Sequence, residues 1–261
     1  MLPDRRMTEP PSSAPRLRLD EAIVARGLLL TRSRARDAIL RGSVKVDGVV
    51  ASRPGLTVSP ASAITLDDPA AEYVSRGAVK LVAALDHFSF DPKGRVCLDL
   101  GASTGGFTEV LLRRGASFVF AVDVGHGQLH PSLAADPRVK SLEGRNARDL
   151  EPAAFDRPIE ALVADLSFIS LTLGLPPALA LAAPGAWLVA LIKPQFEVGK
   201  AAIGKGGIVR DPIAIATAVD RIAFWVGRQD GWSVEGVIPS PLKGGDGNTE
   251  FLLGARKAGQ R

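Results

Sequence analysis

The sequence predicts an α/β protein: a mostly parallel, doubly wound sheet preceded by a small α+β module. Three observations lead there. Apolar runs of strand length alternate with helical segments from "RVCLDLG" to "TEFLLGA", the pattern of a sheet with helical crossovers. A glycine-rich turn, "DLGASTGGFT" (99–108), joins the first of those strands to a helix. Positive charge is concentrated ahead of the sheet: residues 16–53 hold nine Lys and Arg against four Asp and Glu, a local +5 in a chain of net +4.

A chain of 261 residues can bury one large core and a small one. Hydrophobic content of 46% and charged content of 23% fit a soluble globular protein. The one cysteine, Cys97, has no internal disulfide partner, so a reducing compartment, the cytoplasm, is expected. The lead "MLPDRRMTEPPSSAPR" lacks an apolar signal core and reads as disordered. No charge falls between Asp165 and Lys193, an interval long enough to span a bilayer. Pro176, Pro177, Pro184 and Gly185 break it into a helix, a turn and a strand of buried core.

The first module begins with two short amphipathic helices, "RLDEAIVARGL" and "TRSRARDAILRG". Thr31 or Ser33 can cap the second and Gly42 can stop it. In "SVKVDGVV" polar and apolar residues alternate around Asp47-Gly48, a hairpin signal, and "SAITL" adds a strand. Arg16, Arg18, Arg32, Arg34, Arg36, Arg41 and Lys45 are the candidate RNA contacts; for any one of them a solvated surface is the plain alternative. A concentrated basic segment suggests a polyanion. The arrangement resembles the RNA-binding module first seen in ribosomal protein S4, which implies binding through shape and phosphates with little base reading.

After a connector, "DDPAAEYV", come the sheet segments "RVCLDLG", "FVFAVDVG", "EALVADLSF", "AWLVALIKP", "WSVEGVIPSP" and "TEFLLGA". Between them lie "FTEVLLRRG" and the long helix of "IAIATAVDRIAFWVGRQ". The glycine turn lacks the Gly-Lys-Ser/Thr of a P-loop, and its glycines at 101, 105 and 106 match G-x-G-x-x-G poorly. It resembles the first motif of S-adenosylmethionine-dependent methyltransferases; an ordinary strand-to-helix turn is the alternative. Asp123 ends the next strand, where a carboxylate can bind both ribose hydroxyls. Asn146 in "GRNAR" carries an amide suited to adenine's polar edge, or belongs to a plain turn. The cofactor candidates are Asp99, Gly101, Ser103, Thr104, Gly105, Gly106 and Phe107 in the turn, with Asp123, Asn146 and Asp165 beyond it.

Four polar residues, Asp165 again among them, stand at comparable structural positions. Lys80 lies in "SRGAVKLVAAL", a helix with Ser75 as candidate cap. Asp165 ends the strand of "EALVADLSF", Lys193 that of "AWLVALIKP", where Pro194 follows at once, and Glu250 opens the last. Singly, each has a structural excuse; together they suggest one crevice. "SRGAVKL", "LDLGASTGGFT", "VADLSFIS", "LIKPQFE" and "GGDGNTEFLL" resemble the TlyA (haemolysin A) family, built on an FtsJ-like ribose methyltransferase domain. The likeness covers about residues 16–254. It implies a Rossmann-like methyltransferase sheet with its last strand antiparallel, and S-adenosylmethionine-dependent 2′-O-methylation of cytidine in small- and large-subunit ribosomal RNA. The family's Lys-Asp-Lys-Glu tetrad maps onto Lys80, Asp165, Lys193 and Glu250. Expected boundaries are a disordered lead over 1–15, an S4-like module over 16–66, a linker over 67–74, the methyltransferase domain over 75–254 and a tail over 255–261.

A ribose hydroxyl is a poor nucleophile until its proton is taken, and a general base works best with a pKa near ambient pH. Burial and a neighbouring cation favour a neutral amine, whereas neighbouring carboxylates favour the ammonium. The expected division of labour gives Lys193 the proton, sets Lys80 against the developing alkoxide, and leaves the carboxylates to orient both. The Gly-rich stretch "VGKAAIGKGGIVRDP", with Lys200, Lys205 and Arg210, reads as a lid, an RNA clamp or a surface loop. "PSPLKGGDGNTE", with Lys243, is expected to border the same crevice.

Rival classes find less support. His87, His126 and His130 lack ligand-spaced partners, so no metal is expected. No G-x-S-x-G elbow suggests a serine hydrolase. A non-catalytic RNA-binding or assembly factor and a membrane-lytic haemolysin are the remaining alternatives. The expected partner is ribosomal RNA or a ribosomal subunit, without stable membrane association; the sequence names no oligomeric partner.

Overall fold

A computed structural model describes residues 15–245 and 247–259, in two compact units that divide between Ala71 and Glu72. The lead expected over 1–15 lies, Pro15 apart, outside the described residues, as do the last two residues of the expected tail.

The first unit runs β1 (Leu17–Arg18), α1 (Leu19–Ala25), α2 (Arg32–Leu40), β2 (Val44–Val46), β3 (Val49–Val50), β4 (Thr57–Val58) and β5 (Ile64–Leu66). Of the two candidate caps, Thr31 takes the role: its hydroxyl accepts the Arg34 amide at 3.3 Å. Asp47 and Gly48 both hold positive φ, 50° and 82°, the requirement of a two-residue hairpin turn. β2 pairs antiparallel with β3 and β5, and β1 with β4. Leu19, Ile23, Ala35, Ile39 and Val44 close a small core between helices and strands.

The second unit contains α3 (Ala78–Phe88), β6 (Val96–Leu100), α4 (Gly106–Arg113), β7 (Phe118–Asp123), α5 (Pro131–Ala134), β8 (Val139–Glu143), β9 (Ile159–Ala164), α6 (Leu171–Gly174) and α7 (Pro176–Leu181). It continues with β10 (Ala182–Ile192), α8 (Pro194–Glu197), α9 (Pro212–Gly227), β11 (Trp232–Pro239) and β12 (Phe251–Lys257). Its seven strands lie in the order β11-β12-β10-β9-β6-β7-β8. All neighbours are parallel except those of β12, which runs against both β10 and β11. This is the mostly parallel sheet with an inverted last strand expected from the resemblance.

Alternation within each strand sorts the core into two layers. Leu98, Leu162, Leu188, Ala190 and Leu253 face a layer with α6, α7 and α9. Cys97, Val119, Ala161, Val163, Trp187, Val189 and Leu252 face the other, covered by Leu81, Leu85 and Phe88 of α3 and by Val110 and Leu111 of α4. Continuing the period of two to the strand ends puts Asp99, Asp123, Asp165, Lys193 and Glu250 on that second face. Lys80 belongs to the helix that covers it.

Three local expectations change. Ser75 is not the N-cap of α3; its hydroxyl accepts the Gly77 amide at 3.2 Å in a turn before the helix, and Gly77 occupies the cap. Pro184 and Gly185 do not end a segment before the strand but sit inside β10, at a register shift between Ala182 and Trp187. Proline has no amide to give the ladder, and Gly185 takes φ 78° there, so a bulge absorbs both. β12 runs to Lys257, three residues past the expected boundary at 254, because Arg256 still pairs with Trp187 and Lys257 with Trp232.

Gly254 of β12 lies flat against α3: a Cβ there would come within 2.7–2.8 Å of three Phe88 ring carbons. Gly254→Ala is therefore expected to destabilise the second unit by about 1–3 kcal/mol, the cost of overpacking a rigid ring. A lowered urea midpoint with an unchanged slope checks it.

Candidate active site

Parallel strands deliver their carboxyl ends to one edge, and the chain reverses its direction of travel across the sheet between β6 and β9, where such folds bind ligands. A cleft of about 830 Å³ opens at that edge. Gly101, Ser103, Asp123, Asn146 and Asp165 line it, so five of the ten cofactor candidates share one cavity.

Gly101 is needed for conformation and for space. Its φ is 80°, and a Cβ there would lie 2.5 Å from the Asp165 carbonyl oxygen. Its amide donates to Val122 O at 2.9 Å, and the Asp165 amide donates to Leu100 O at 2.9 Å. Asp123 holds the loops on either side of it. One carboxylate oxygen accepts the Ser103 amide at 2.8 Å and the other the Gly125 amide at 2.7 Å. The apolar walls, Val122, Ala147 and Leu166, and the two carboxylates suit a flat nucleoside carrying positive charge.

The remaining five candidates fall outside the lining. Phe107 is core, 3% exposed against the α3 layer. Gly105 and Gly106 serve packing: a Cβ on Gly105 would meet Leu133 at 2.3 Å, and one on Gly106 would meet Ser75 at 2.8 Å. The Thr104 carbonyl accepts the His130 amide at 3.2 Å. Asp99 is fully buried below the turn, where Thr108 donates to it at 2.7 Å. Asn146 lines the cleft, but its side-chain oxygen accepts the Arg148 amide at 3.1 Å, leaving the NH₂ group for a ligand.

The four polar candidates form two ion pairs on the same edge. Lys80 is paired with Glu250 and both are buried. Lys193 Nζ lies 2.6 Å from Asp165 Oδ1 and donates a hydrogen bond to Ser167 Oγ at 2.7 Å. Ile192 pairs with Phe251, so Lys193 and Glu250 leave adjacent strands at the same level. Gly77, one turn ahead of Lys80, approaches Asp165: a Cβ on it would lie 3.9 Å from Oδ2. Gly244 packs on Glu250, as the turn expected to border the crevice should. Asn248, also buried, accepts the Val209 amide at 3.0 Å and donates to Gly207 O at 3.0 Å. That side chain ties the Gly-rich stretch after α8 to the turn before Glu250.

Sequence reasoning missed several lining residues. Ser167 and Phe168 follow Asp165, and Phe168 is 90% exposed at φ 64° with its ring 5.2 Å from that of Phe196. Glu197 accepts from Ser170 Oγ at 2.6 Å and the Leu171 amide at 2.8 Å, fixing the wall behind them. Burial pushes the Glu197 carboxyl up, against the pull of Ser170, Leu171 and Arg221.

The basic candidates of the first unit divide. Arg18 and Arg32 each lie 3.1 Å from the buried Asp20 carboxylate, Arg34 donates to Ala70 O at 2.9 Å, and Arg41 bridges to Asp68 at 2.6 Å. These four hold the unit together. Arg16, Arg36 and Lys45 are exposed and make no side-chain ion pair among the described residues; Arg53, which sequence reasoning passed over, is placed likewise.

A family model described as FtsJ-like methyltransferase matches residues 73–257, and one described as S4 domain matches residues 17–64. A Mycobacterium tuberculosis protein named 16S/23S rRNA (cytidine-2′-O)-methyltransferase TlyA is 49% identical over 93% of this chain and 91% of its own length. Hemolysin A of Brachyspira hyodysenteriae is 39% identical over 90% of this chain and 98% of its own. A solved Streptococcus thermophilus structure carrying a provisional hemolysin name superposes with a TM-score of 0.73 at 39% identity, covering 94% of this chain and 90% of that one.

Burial pushes the Asp99 carboxyl up to about 7; the Thr108 hydrogen bond opposes this, while repulsion from Asp165 and Asp123 adds to it. One of its oxygens has no hydrogen-bond partner among the described residues. An unfolded chain ionises this aspartate above about pH 3.9. Between about pH 4 and 7 folding therefore takes up a proton, and stability falls as pH rises before levelling above about 7, by an amount of the order of 4 kcal/mol. Asp99→Asn is expected to flatten that fall in urea titrations run from pH 5 to pH 8.

Proposed function

The chain belongs to the TlyA branch of the FtsJ-like methyltransferase family, and from that membership we propose that it methylates the 2′-oxygen of cytidine in ribosomal RNA, of the small subunit, the large one or both. S-adenosylmethionine, when bound, supplies the methyl group and keeps the electron pair of the broken sulfur–carbon bond. Gly101, Ser103, Asp123 and Asn146 would hold it in the cleft, with Asp123 on the ribose hydroxyls and the Asn146 amide on adenine. An enzyme of ribosomal RNA works where ribosomes are made, in the cytoplasm, on RNA or a subunit.

One observation carries the catalytic reading: the ion pair of Lys193 with Asp165, beside the cleft at the end of the central strands. Lys193 is 8% exposed, at the cleft edge rather than in open solvent. It takes the hydroxyl proton; Asp165 sets the direction of the amine. Lys80, held by buried Glu250, adds positive charge for the oxygen as its negative charge develops. The exposed ring of Phe168 offers a stacking face to a base turned out of its helix. Arg16, Arg36, Lys45 and Arg53 of the S4 domain grip phosphates. The hemolysin names of two relatives suggest a second reading, membrane lysis; no helix among the described residues is long and apolar enough to cross a membrane.

Methyl transfer from labelled S-adenosylmethionine to unmodified ribosomal subunits tests the function. Lys193→Ala is expected to lose about 10²-fold or more, the scale of a general base, with cofactor and RNA binding retained. Lys193→Arg keeps the charge without accepting a proton and should lose as much. Activity close to wild type in either variant would remove Lys193 from the role.

Replacing Arg36 and Lys45 by Ala is expected to weaken RNA binding at all sequences and to lower the salt slope by roughly one for each phosphate no longer neutralised. Arg32→Ala should instead lower stability, since it strips a partner from buried Asp20. Filter binding across a salt series and thermal melting separate the two.

A further inference from the structure

Lys193 does not line the cleft, whereas Ser167 does. The serine is exposed, the lysine is buried, and the serine hydroxyl stands 2.7 Å from the amine. Asp165 faces the same amine at 2.6 Å, and the Phe196 ring lies 6.0 Å from it. The amine thus lies beside three residues that line the cavity, the Asp165 carboxylate, the Phe196 ring and the Ser167 hydroxyl, and of these the neutral hydroxyl is the one in hydrogen-bond contact that can both give and take a proton. A hydroxyl both donates and accepts, so it can pass a proton on without holding a charge.

Resting on the reading of Lys193 as base, we propose that Ser167 is a catalytic residue of this site, a relay through which Lys193 takes the proton of the ribose hydroxyl. The substrate O–H bond breaks and its proton goes to Ser167 Oγ. In the same step the Ser167 hydroxyl, which accepts from Nζ in this structure and must turn to donate to it, passes its own proton to the lone pair of neutral Lys193. Serine is left neutral and unchanged, lysine becomes an ammonium facing Asp165, and the electron pair stays on the substrate oxygen that attacks the methyl carbon. No co-reactant beyond substrate and methyl donor is required. Ser167 also explains why a lysine behind the cavity wall serves the cavity: the hydroxyl supplies the reach.

Single-turnover methylation by the whole protein, with cofactor affinity measured by calorimetry and RNA affinity by filter binding, tests the relay. Ser167→Ala is expected to slow the transfer by about 10²-fold with both affinities unchanged. Ser167→Cys keeps a proton-bearing group and should recover part of the rate. In mixtures of light and heavy water the wild-type rate should follow a bowed curve, because both protons move together, and the residual rate of Ser167→Ala a straight line. If Ser167→Ala stays within about twofold of wild type while Lys193→Ala is inactive, the lysine reaches the substrate directly and the relay is wrong. If the wild-type curve is straight, or if alanine and cysteine are equally slow, Ser167 only packs and the relay is again wrong. An active Lys193→Ala would instead overturn the base itself.

Discussion

Because β12 runs against both of its neighbours, its amino end emerges on the edge where the parallel strands finish. Without that inversion Glu250 would stand at the opposite edge from Lys193, and Lys80 would have no buried carboxylate. The inversion also fixes the face. In a strand a shift of one residue turns every side chain over, and the pairing of Ile192 with Phe251 leaves Lys193 and Glu250 side by side. The apolar residues enforce this register: Trp187, Val189 and Leu191 must meet α3, while Leu188, Ala190 and Ile192 must meet the layer of α9. Core packing and site assembly are one requirement.

The three glycines of the turn are small for different reasons. Gly101 permits the chain to turn at positive φ against the Asp165 carbonyl, close to the cleft. Gly105 and Gly106 are small for a different reason, since side chains there would strike Leu133 and Ser75. Sequence spacing records that backbone comes close to something at three positions. It does not record whether that something is a ligand or another part of the chain.

The same limit explains what was legible elsewhere. The sheet, its helices and the hairpin at Asp47-Gly48 could be read because period, length and turn chemistry are local. That Asp165, Lys193 and Glu250 come to one edge could be anticipated because strand ends of a doubly wound sheet share an edge; the pairing of Lys80 with Glu250 and of Lys193 with Asp165 could not. Asp123 is conspicuous as a charge closing an apolar strand. Ser167, Phe168 and Glu197 carried no such signal: a serine, an aromatic and an acid in or beside an apolar stretch look like ordinary turn and core. Nor does sequence tell a free arginine from a committed one. Arg32 and Arg36 lie one turn apart on one helix, yet the first answers buried Asp20 and the second faces water.

The two ion pairs differ in a way that bears on their roles. In the Lys80–Glu250 pair side-chain exposures are 7% and 3%, so neither charge retains much water and each depends on the other. Removing one member of such a pair strands the other charge, an expensive state, which suits a fixed cation better than a group that must change charge every turnover. In the Lys193–Asp165 pair the carboxylate keeps 25% exposure and faces the cleft. The oxygen that faces Lys193, Oδ1, is itself buried without a hydrogen-bond partner among the described residues, so the exposure lies on the rest of the Asp165 side chain, within reach of water or substrate. The proposed division, with Lys193 as base and Lys80 as a fixed positive charge, is supported by that difference in carboxylate exposure, 25% for Asp165 against 3% for Glu250.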